Sequence, residues 1–135
     1  MSLLVDSSVW IDYFNGQTTA QTDHLDAILG QREIVIGDLI LAEVLQGFRR
    51  QKDFEQARVA LLRFPVLPMV GQEFAIQSAK NYRTLRANGI TIRKTIDCLI
   101  ATFCIENGFQ LLHSDRDFDP FAEHFNLQVV KPAPR

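Results

Sequence analysis

The stretch SLLVDSSVWIDYF, residues 2–14, contains the unit from which the fold is built. SLLV reads as a short buried strand, whereas SSVWIDYF carries aromatic and aliphatic residues at about 3.6-residue spacing, which is typical of a helix. Asp6 separates the two elements. The chain therefore opens with a strand that ends in an acid and leads directly into a helix.

The same alternation continues to the end of the chain. Helical patterns cover residues 18–30, 39–48, 54–64 and 71–88; a further helix has Asp97 in its first turn and ends at ENG, residues 106–108, and a short helix follows within 115–125. Apolar runs at 33–37, 66–69, 109–114 and 127–130 predict further strands. Asp38 is the expected N-cap of the helix that follows the second strand. Gly89 can close the 71–88 helix, because glycine adopts the left-handed C-cap conformation cheaply.

This alternation defines the fold class. Short, almost wholly apolar strands between helices indicate an α/β protein whose mostly parallel sheet is covered on both faces. We therefore predict a three-layer α/β/α sandwich with a short sheet. At 135 residues, without repeats or a Gly/Ser linker, residues 1–135 are expected to form a single domain.

Composition excludes several classes of protein. The longest nearly apolar run, residues 98–105, is far shorter than the roughly 20 residues that span a bilayer, and the N-terminus does not resemble a secretory signal. We therefore expect a cytoplasmic protein with no membrane contact. A net charge of −2 argues against nucleic-acid binding through bulk positive charge. Without a CxxC or a Cys/His cluster, zinc is not expected either.

Four acids fall where a parallel sheet would bring them together. Asp6 and Asp115 follow predicted strands, and the carboxyl ends of parallel strands border one crevice in which ligands bind. Glu43 lies about one turn into the helix after the second strand, and Asp97 lies in the first turn of its helix. All four side chains can therefore reach the same edge of the sheet.

Each acid also has a purely structural explanation. Asp6 and Asp115 could cap helices, Asp97 could complement a helix dipole, and Glu43 could reach solvent. These structural explanations are less convincing for the four acids together, because Glu43 and Asp97 have apolar neighbours in the sequence and burying an unpaired charge costs free energy. Carboxylates gathered at one point repel one another unless a cation lies among them, and oxygen ligands favour Mg²⁺ or Mn²⁺. A metal held in this way can activate a water and stabilise charge on a phosphoryl group.

Four motifs in this order resemble the PIN-domain ribonucleases and, within them, the VapC toxins of bacterial toxin–antitoxin pairs. They are LLVDSSVWIDYF at 3–14, ILAEVLQG at 40–47, TIDCLIATFCIENG at 95–108 and LLHSDRDF at 111–118. The resemblance covers essentially the whole chain. It implies an Mg²⁺-dependent endoribonuclease, with Mn²⁺ also supporting activity, that inhibits translation by cutting tRNA or rRNA.

The resemblance also assigns residues and partners. Asp6, Glu43, Asp97 and Asp115 would be the catalytic acids that hold the metal, Ser8 the small hydroxyl residue that hydrogen-bonds within the site, and Asp117 an accessory acid. A VapB-type antitoxin would cover the acidic crevice and provide the DNA-binding part of the assembly. The toxin itself would form a homodimer.

Two basic residues lie close to one of the four acids in the sequence, and three histidines are spread along the chain. Arg93 and Lys94 precede the helix of Asp97, so they could hold an RNA phosphate beside the crevice or simply lie in a solvated loop. The histidines show no ligand spacing, and none is assigned to catalysis.

Two other functional classes remain open. The first is a non-catalytic binding module with the same fold, which metal-dependent RNA cleavage would exclude. The second is an acid-pocket phosphatase or receiver-like domain. A phosphatase of that kind is disfavoured because Asp6 is followed by two serines instead of an Asp-x-Asp motif, and a receiver because the adjacent acidic pair that it requires is missing.

Overall fold

In the computed structural model, which describes all of residues 1–135, four strands form one sheet. They are β1 (Leu3–Val5), β2 (Ile34–Gly37), β3 (Val66–Leu67) and β4 (Gln110–Leu112), in the spatial order β3-β2-β1-β4. Every pairing is parallel, and β1 pairs with both β2 and β4. The predicted parallel sheet is therefore confirmed, with β1 at its centre.

Seven α-helices surround this sheet. They are α1 (Ser7–Phe14), α2 (Ala20–Ile28), α3 (Asp38–Leu45), α4 (Gln51–Leu61), α5 (Gln72–Ala87), α6 (Thr95–Asn107) and α7 (Asp119–Phe125), and a single 3-10 turn, Arg116–Phe118, precedes α7. Helix α1 packs on α2 and α3, α3 packs on α4, and α5 packs along α6. The predicted three-layer arrangement is confirmed. No helix combines the length and the apolar character that crossing a membrane requires.

The core explains why the strands read as continuous apolar runs. Leu3, Leu4 and Val5 are wholly buried, and the buried apolar residues form one cluster of 25. Helix α6 contributes five of them: Cys98, Ile100, Ala101, Phe103 and Cys104. This helix therefore lies largely within the core, and a buried polar residue on it must have a partner or a ligand.

The predicted last strand is shorter in the structure than in the sequence pattern. Residues 127–130 form only an isolated parallel bridge, between Val129 and Leu111. Leu111 N donates to Gln128 O at 2.8 Å, and Val130 N donates to Leu111 O at 2.9 Å. The prolines of the following KPAPR segment lack an N–H, so the pairing cannot continue as a regular ladder.

The expected capping role of Asp38 is wrong. Gly37 is the N-cap of α3, and Asp38 is already the first helical residue. Its Oδ1 instead accepts a hydrogen bond from the backbone N of Met69 at 3.1 Å. Asp38 therefore ties α3 to the chain that leaves β3, and it takes no part in the acidic site described below.

Candidate metal centre

The ends of β1 and β4 bring the first and last acids to one edge of the sheet. Asp6 follows β1 directly, and its backbone N donates to Leu112 O, at the end of β4, at 2.9 Å. The segment that leaves β4 therefore starts beside Asp6. Asp115 lies three residues beyond β4, as the predicted crevice at the carboxyl ends of the strands requires.

Asp6 is buried and only half satisfied by the protein. It caps α1: its Oδ2 accepts hydrogen bonds from Ser8 N at 3.1 Å and Ser8 Oγ at 2.6 Å. Its Oδ1 is buried without a hydrogen-bond partner. Burial raises the pKa of Asp6, and the bonds from Ser8 oppose that rise. Ser8 therefore occupies one oxygen of Asp6, and the other oxygen, Oδ1, remains available for a ligand.

Glu43 reaches the same edge from α3. Ser7 Oγ donates to Glu43 Oε1 at 3.0 Å, so neighbouring serines hold two different acids. Burial raises the pKa of Glu43 and the negative charge of Asp6 raises it further, while Ser7 and the positive charge of Lys94 lower it. Glu43 and Asp6 therefore lie within electrostatic range of each other.

Asp97 lies in the first turn of α6 and is only 6% exposed. Its Oδ2 is buried and has no hydrogen-bond partner. Burial raises its pKa from 3.8 to about 6, and the charges of Asp115 and Asp6 add to the rise. At neutral pH the protein therefore keeps a carboxylate in a position where ionisation is unfavourable without a cation.

Asp97 forms a compact group with two acids from the segment after β4. One carboxylate oxygen from each of Asp97, Asp115 and Asp117 lies within 4.8 Å of the others. Asp115 caps the 3-10 turn: its Oδ1 accepts from the backbone N of Asp117 at 2.9 Å, which fixes the Asp115 side chain against the turn. The structure thus brings together two members of the expected quartet, Asp97 and Asp115, with the accessory acid Asp117. Asp6 and Glu43 lie outside this group; the charge of Asp6 acts on both Asp97 and Glu43.

Two residues near the site had no role in the sequence prediction. Ser7, which holds Glu43, could have been suspected from its position next to Asp6. His113 Nδ1 accepts from Asp115 N at 3.2 Å, and burial lowers the pKa of the ring. The neutral imidazole therefore acts as a hydrogen-bond acceptor that positions Asp115.

The basic residues lie at the rim. Arg93 Nη2 donates to both carboxylate oxygens of Asp117, at 3.0 and 3.1 Å. Lys94 is exposed, and its charge lowers the pKa values of Glu43 and Asp97. A groove of about 610 Å³ adjoins the acids and has no hydrophobic lining residue; its walls are Ser8, Arg93, Ser114, Asp115, Arg116 and Asp117.

The donor set matches a hard divalent cation. Asp6 Oδ1 and Asp97 Oδ2 are buried oxygens without partners, and a cation would satisfy such atoms. All the candidate ligands are carboxylates, and no thiolate is available because both cysteines lie buried in the core. Oxygen-only ligands are the kind that Mg²⁺ and Mn²⁺ prefer.

The chain is similar to known proteins over nearly its whole length. Residues 3–123 match the PIN domain, so the chain belongs to the PIN domain family. It is 31% identical over 134 residues to Ribonuclease VapC11 of Mycobacterium tuberculosis and to VapC ribonuclease Mb1587 of Mycobacterium bovis. Each alignment covers 95% of this chain and 97% of the relative, which places the chain in the VapC group of the family.

A solved structure shares the fold over nearly its whole length. The toxin–antitoxin complex VapBC2 of Rickettsia felis, bound to a DNA fragment from its promoter, contains a chain that matches with a TM-score of 0.76. The match covers 96% of this chain and 98% of that chain at 17% sequence identity. The two chains therefore share the fold that the strand and helix pattern predicts.

Proposed function

We propose that this protein is the toxin of a type II toxin–antitoxin pair and acts as an Mg²⁺-dependent endoribonuclease. The observation that carries the proposal is the cluster of Asp97, Asp115 and Asp117, whose buried Asp97 has an oxygen without a partner. Its relatives of similar length are named ribonucleases, which supports RNA as the substrate. Cleavage of tRNA or rRNA in the cytoplasm would then inhibit translation and growth.

In this proposal the acids have distinct tasks. Asp97 and Asp115, with Asp6 and Glu43 beside them, would hold Mg²⁺ or Mn²⁺, and Asp117 would complete the cluster. When bound, the metal supplies an activated water and stabilises charge on the scissile phosphate. Ser8 keeps one oxygen of Asp6 occupied, and the other oxygen, which is buried without a partner, would be the one that contacts the metal.

Ser7 has the equivalent task for Glu43. Its hydroxyl donates to one oxygen of the Glu43 carboxylate, which fixes the rotamer of a side chain that would otherwise be free to turn towards solvent. Lys94, and Arg93 when it is not paired with Asp117, would hold RNA phosphates at the rim of the groove. These charges are local, which agrees with a protein whose net charge is −2.

The proposed partner is a VapB-type antitoxin. The VapBC2 structure is a complex of toxin and antitoxin with promoter DNA, and its toxin-like fold matches this chain over nearly its full length. By analogy the antitoxin would cover the acids and contact DNA, while the toxin would form a homodimer. An antitoxin that covers the site would need to supply positive charge to the carboxylates there.

A non-catalytic binding module is the main alternative. Such a module would need neither a metal nor all four acids. It also would not explain why Asp97 lies at a buried position where ionisation is unfavourable. A phosphatase or receiver-like activity has no support from the relatives, which are named ribonucleases.

The test is RNA cleavage by the purified protein, free of antitoxin. Total bacterial RNA would be incubated with Mg²⁺ or Mn²⁺, with EDTA in parallel, and the cut ends mapped. Asp6→Asn keeps a side-chain oxygen for the helix cap but removes the charge, so discrete cutting should be lost. Asp119→Asn removes an exposed acid outside the cluster and should retain cutting. Absence of cutting by folded, metal-loaded protein would support the binding module instead.

A further inference from the structure

The contact between Arg93 and Asp117 is the one ion pair formed by the carboxylate cluster. Arg93 Nη2 lies 3.0 Å from Oδ1 and 3.1 Å from Oδ2 of Asp117, so a single nitrogen engages both oxygens of an acid whose neighbours are Asp97 and Asp115. The guanidinium of Arg93 therefore partly offsets the negative charge of the cluster.

The two partners differ in how firmly they are held. The side chain of Asp117 is only 18% exposed, and its backbone N donates to Asp115 Oδ1, so the backbone of Asp117 is anchored to the cluster. The side chain of Arg93 is 76% exposed and makes no other hydrogen bond. Exposed ion pairs contribute little stability, and Arg93 would lose almost no burial by moving away. If the pair opens, the arginine moves and the acid stays.

A divalent cation at the cluster would act on this pair in two ways. It would bind the same Asp117 carboxylate with which Arg93 is paired, and its two positive charges would repel the guanidinium. The interaction free energy between a divalent cation and several carboxylates exceeds that between an exposed arginine and a single carboxylate. The cation should therefore displace the arginine.

We propose that Arg93 and the divalent cation compete for the Asp117 carboxylate, and that cation binding releases Arg93 to contact an RNA phosphate. The inference rests on the proposed function, because it requires the acids to bind a cation. The released arginine remains in the polar groove with Ser8, Ser114 and Arg116, next to the cluster. A phosphate that approaches the cation through this groove would meet a guanidinium that is then free to donate.

This competition links the two binding events. Cation binding frees a phosphate ligand, so the cation strengthens RNA binding, and by thermodynamic reciprocity RNA strengthens cation binding to the same extent. Without RNA, Arg93 lowers the affinity for the cation. Removing Arg93 should therefore tighten cation binding to the RNA-free protein.

The experiment compares Arg93→Ala with Arg116→Ala. Both changes remove one exposed positive charge from the same groove, but Arg116 forms no ion pair. Mn²⁺ is titrated calorimetrically into the RNA-free full-length protein. Arg93→Ala should bind Mn²⁺ about 5- to 20-fold more tightly than the wild type, and Arg116→Ala should change the affinity by no more than about 3-fold.

A second readout follows Arg93 itself. The Nε–Hε signal of Arg93, assigned by its loss in Arg93→Ala, should shift during an Mg²⁺ titration toward the position of a free arginine. Its midpoint should match the Mg²⁺ affinity that a parallel calorimetric titration with Mg²⁺ gives. A signal that stays unchanged at saturation would overturn the proposal.

The outcomes separate this proposal from the proposed function. If the wild type binds Mn²⁺ but the two variants change its affinity equally, the effect is general electrostatics and the competition is refuted, while the nuclease proposal stands. If the folded wild type binds no divalent cation, both proposals fall. A selective gain in Arg93→Ala supports the competition.

Discussion

Replacing Asp97 with asparagine should stabilise the protein in EDTA while removing its metal site. A rise in the pKa of Asp97 from 3.8 to about 6 means that ionised Asp97 costs the folded state up to about 3 kcal/mol at neutral pH. Asparagine carries no charge, although burying its amide offsets roughly 1–2 kcal/mol of the gain. At pH 7.5 we therefore expect Asp97→Asn to raise the free energy of unfolding by about 1–2 kcal/mol.

The pH dependence gives the sign of the effect. The pKa of Asp97 is higher in the folded than in the unfolded protein, so the folded state binds more protons between about pH 4 and 6, and wild-type stability falls as pH rises through that range. Near pH 4 both proteins carry a neutral side chain at this position in the folded state. The advantage of Asp97→Asn should therefore disappear there.

Urea unfolding followed by circular dichroism, in EDTA at pH 7.5 and pH 4, measures both values. Glu106→Gln is the matched control: it removes an exposed acid from the same helix and should change the stability by no more than about 0.5 kcal/mol. Adding Mg²⁺ should stabilise the wild type but not Asp97→Asn. If Asp97→Asn is less stable at pH 7.5, or if its effect is independent of pH, Asp97 is a structural residue and our explanation of its burial is wrong.

Three further changes test the structure elsewhere. Ser7→Ala removes a hydrogen bond to a site carboxylate, so it should weaken Mg²⁺ binding several-fold without a change in fold, as calorimetry and circular dichroism would show. Gly37→Ala would place a Cβ in steric overlap with the sulfur of buried Met69 and should lower the free energy of unfolding in urea by about 1–3 kcal/mol. Gly47→Ala is the control, because its Cβ meets nothing closer than 3.5 Å; equal costs for the two variants would contradict this explanation. Lys94→Ala should weaken RNA binding and lower the slope of log affinity against log salt by about 1, and an unchanged slope would exclude a phosphate contact.

The fold could be predicted from the sequence because its elements carry strong local patterns. Strands such as β1 are continuous apolar runs, and the helices show 3.6-residue periodicity. The failures are at positions where tertiary contacts decide. Asp38 has the chemistry of an N-cap but hydrogen-bonds Met69 from a distant part of the chain, and the last strand is reduced to one bridge beside prolines.

Part of the candidate site could be predicted because two of its acids directly follow predicted strands. Asp6 and Asp115 stand at strand ends, where parallel topology forces proximity. The preference for Asp115 over Asp117 had no basis in distance, because their spacing of two residues says nothing about how the 3-10 turn orients them. The turn brings both toward Asp97, and the pairing of Arg93 with Asp117 depends on a contact across 24 positions of sequence.

An anomalous diffraction map of crystals soaked in Mn²⁺ would show whether these carboxylates hold a divalent cation. We predict a strong peak in contact with the carboxylates of Asp97 and Asp115 in the wild type and its loss in crystals of Asp97→Asn. A well-diffracting crystal that remains without a peak at millimolar Mn²⁺, or that binds Mn²⁺ only away from these acids, would contradict our assignment of the site.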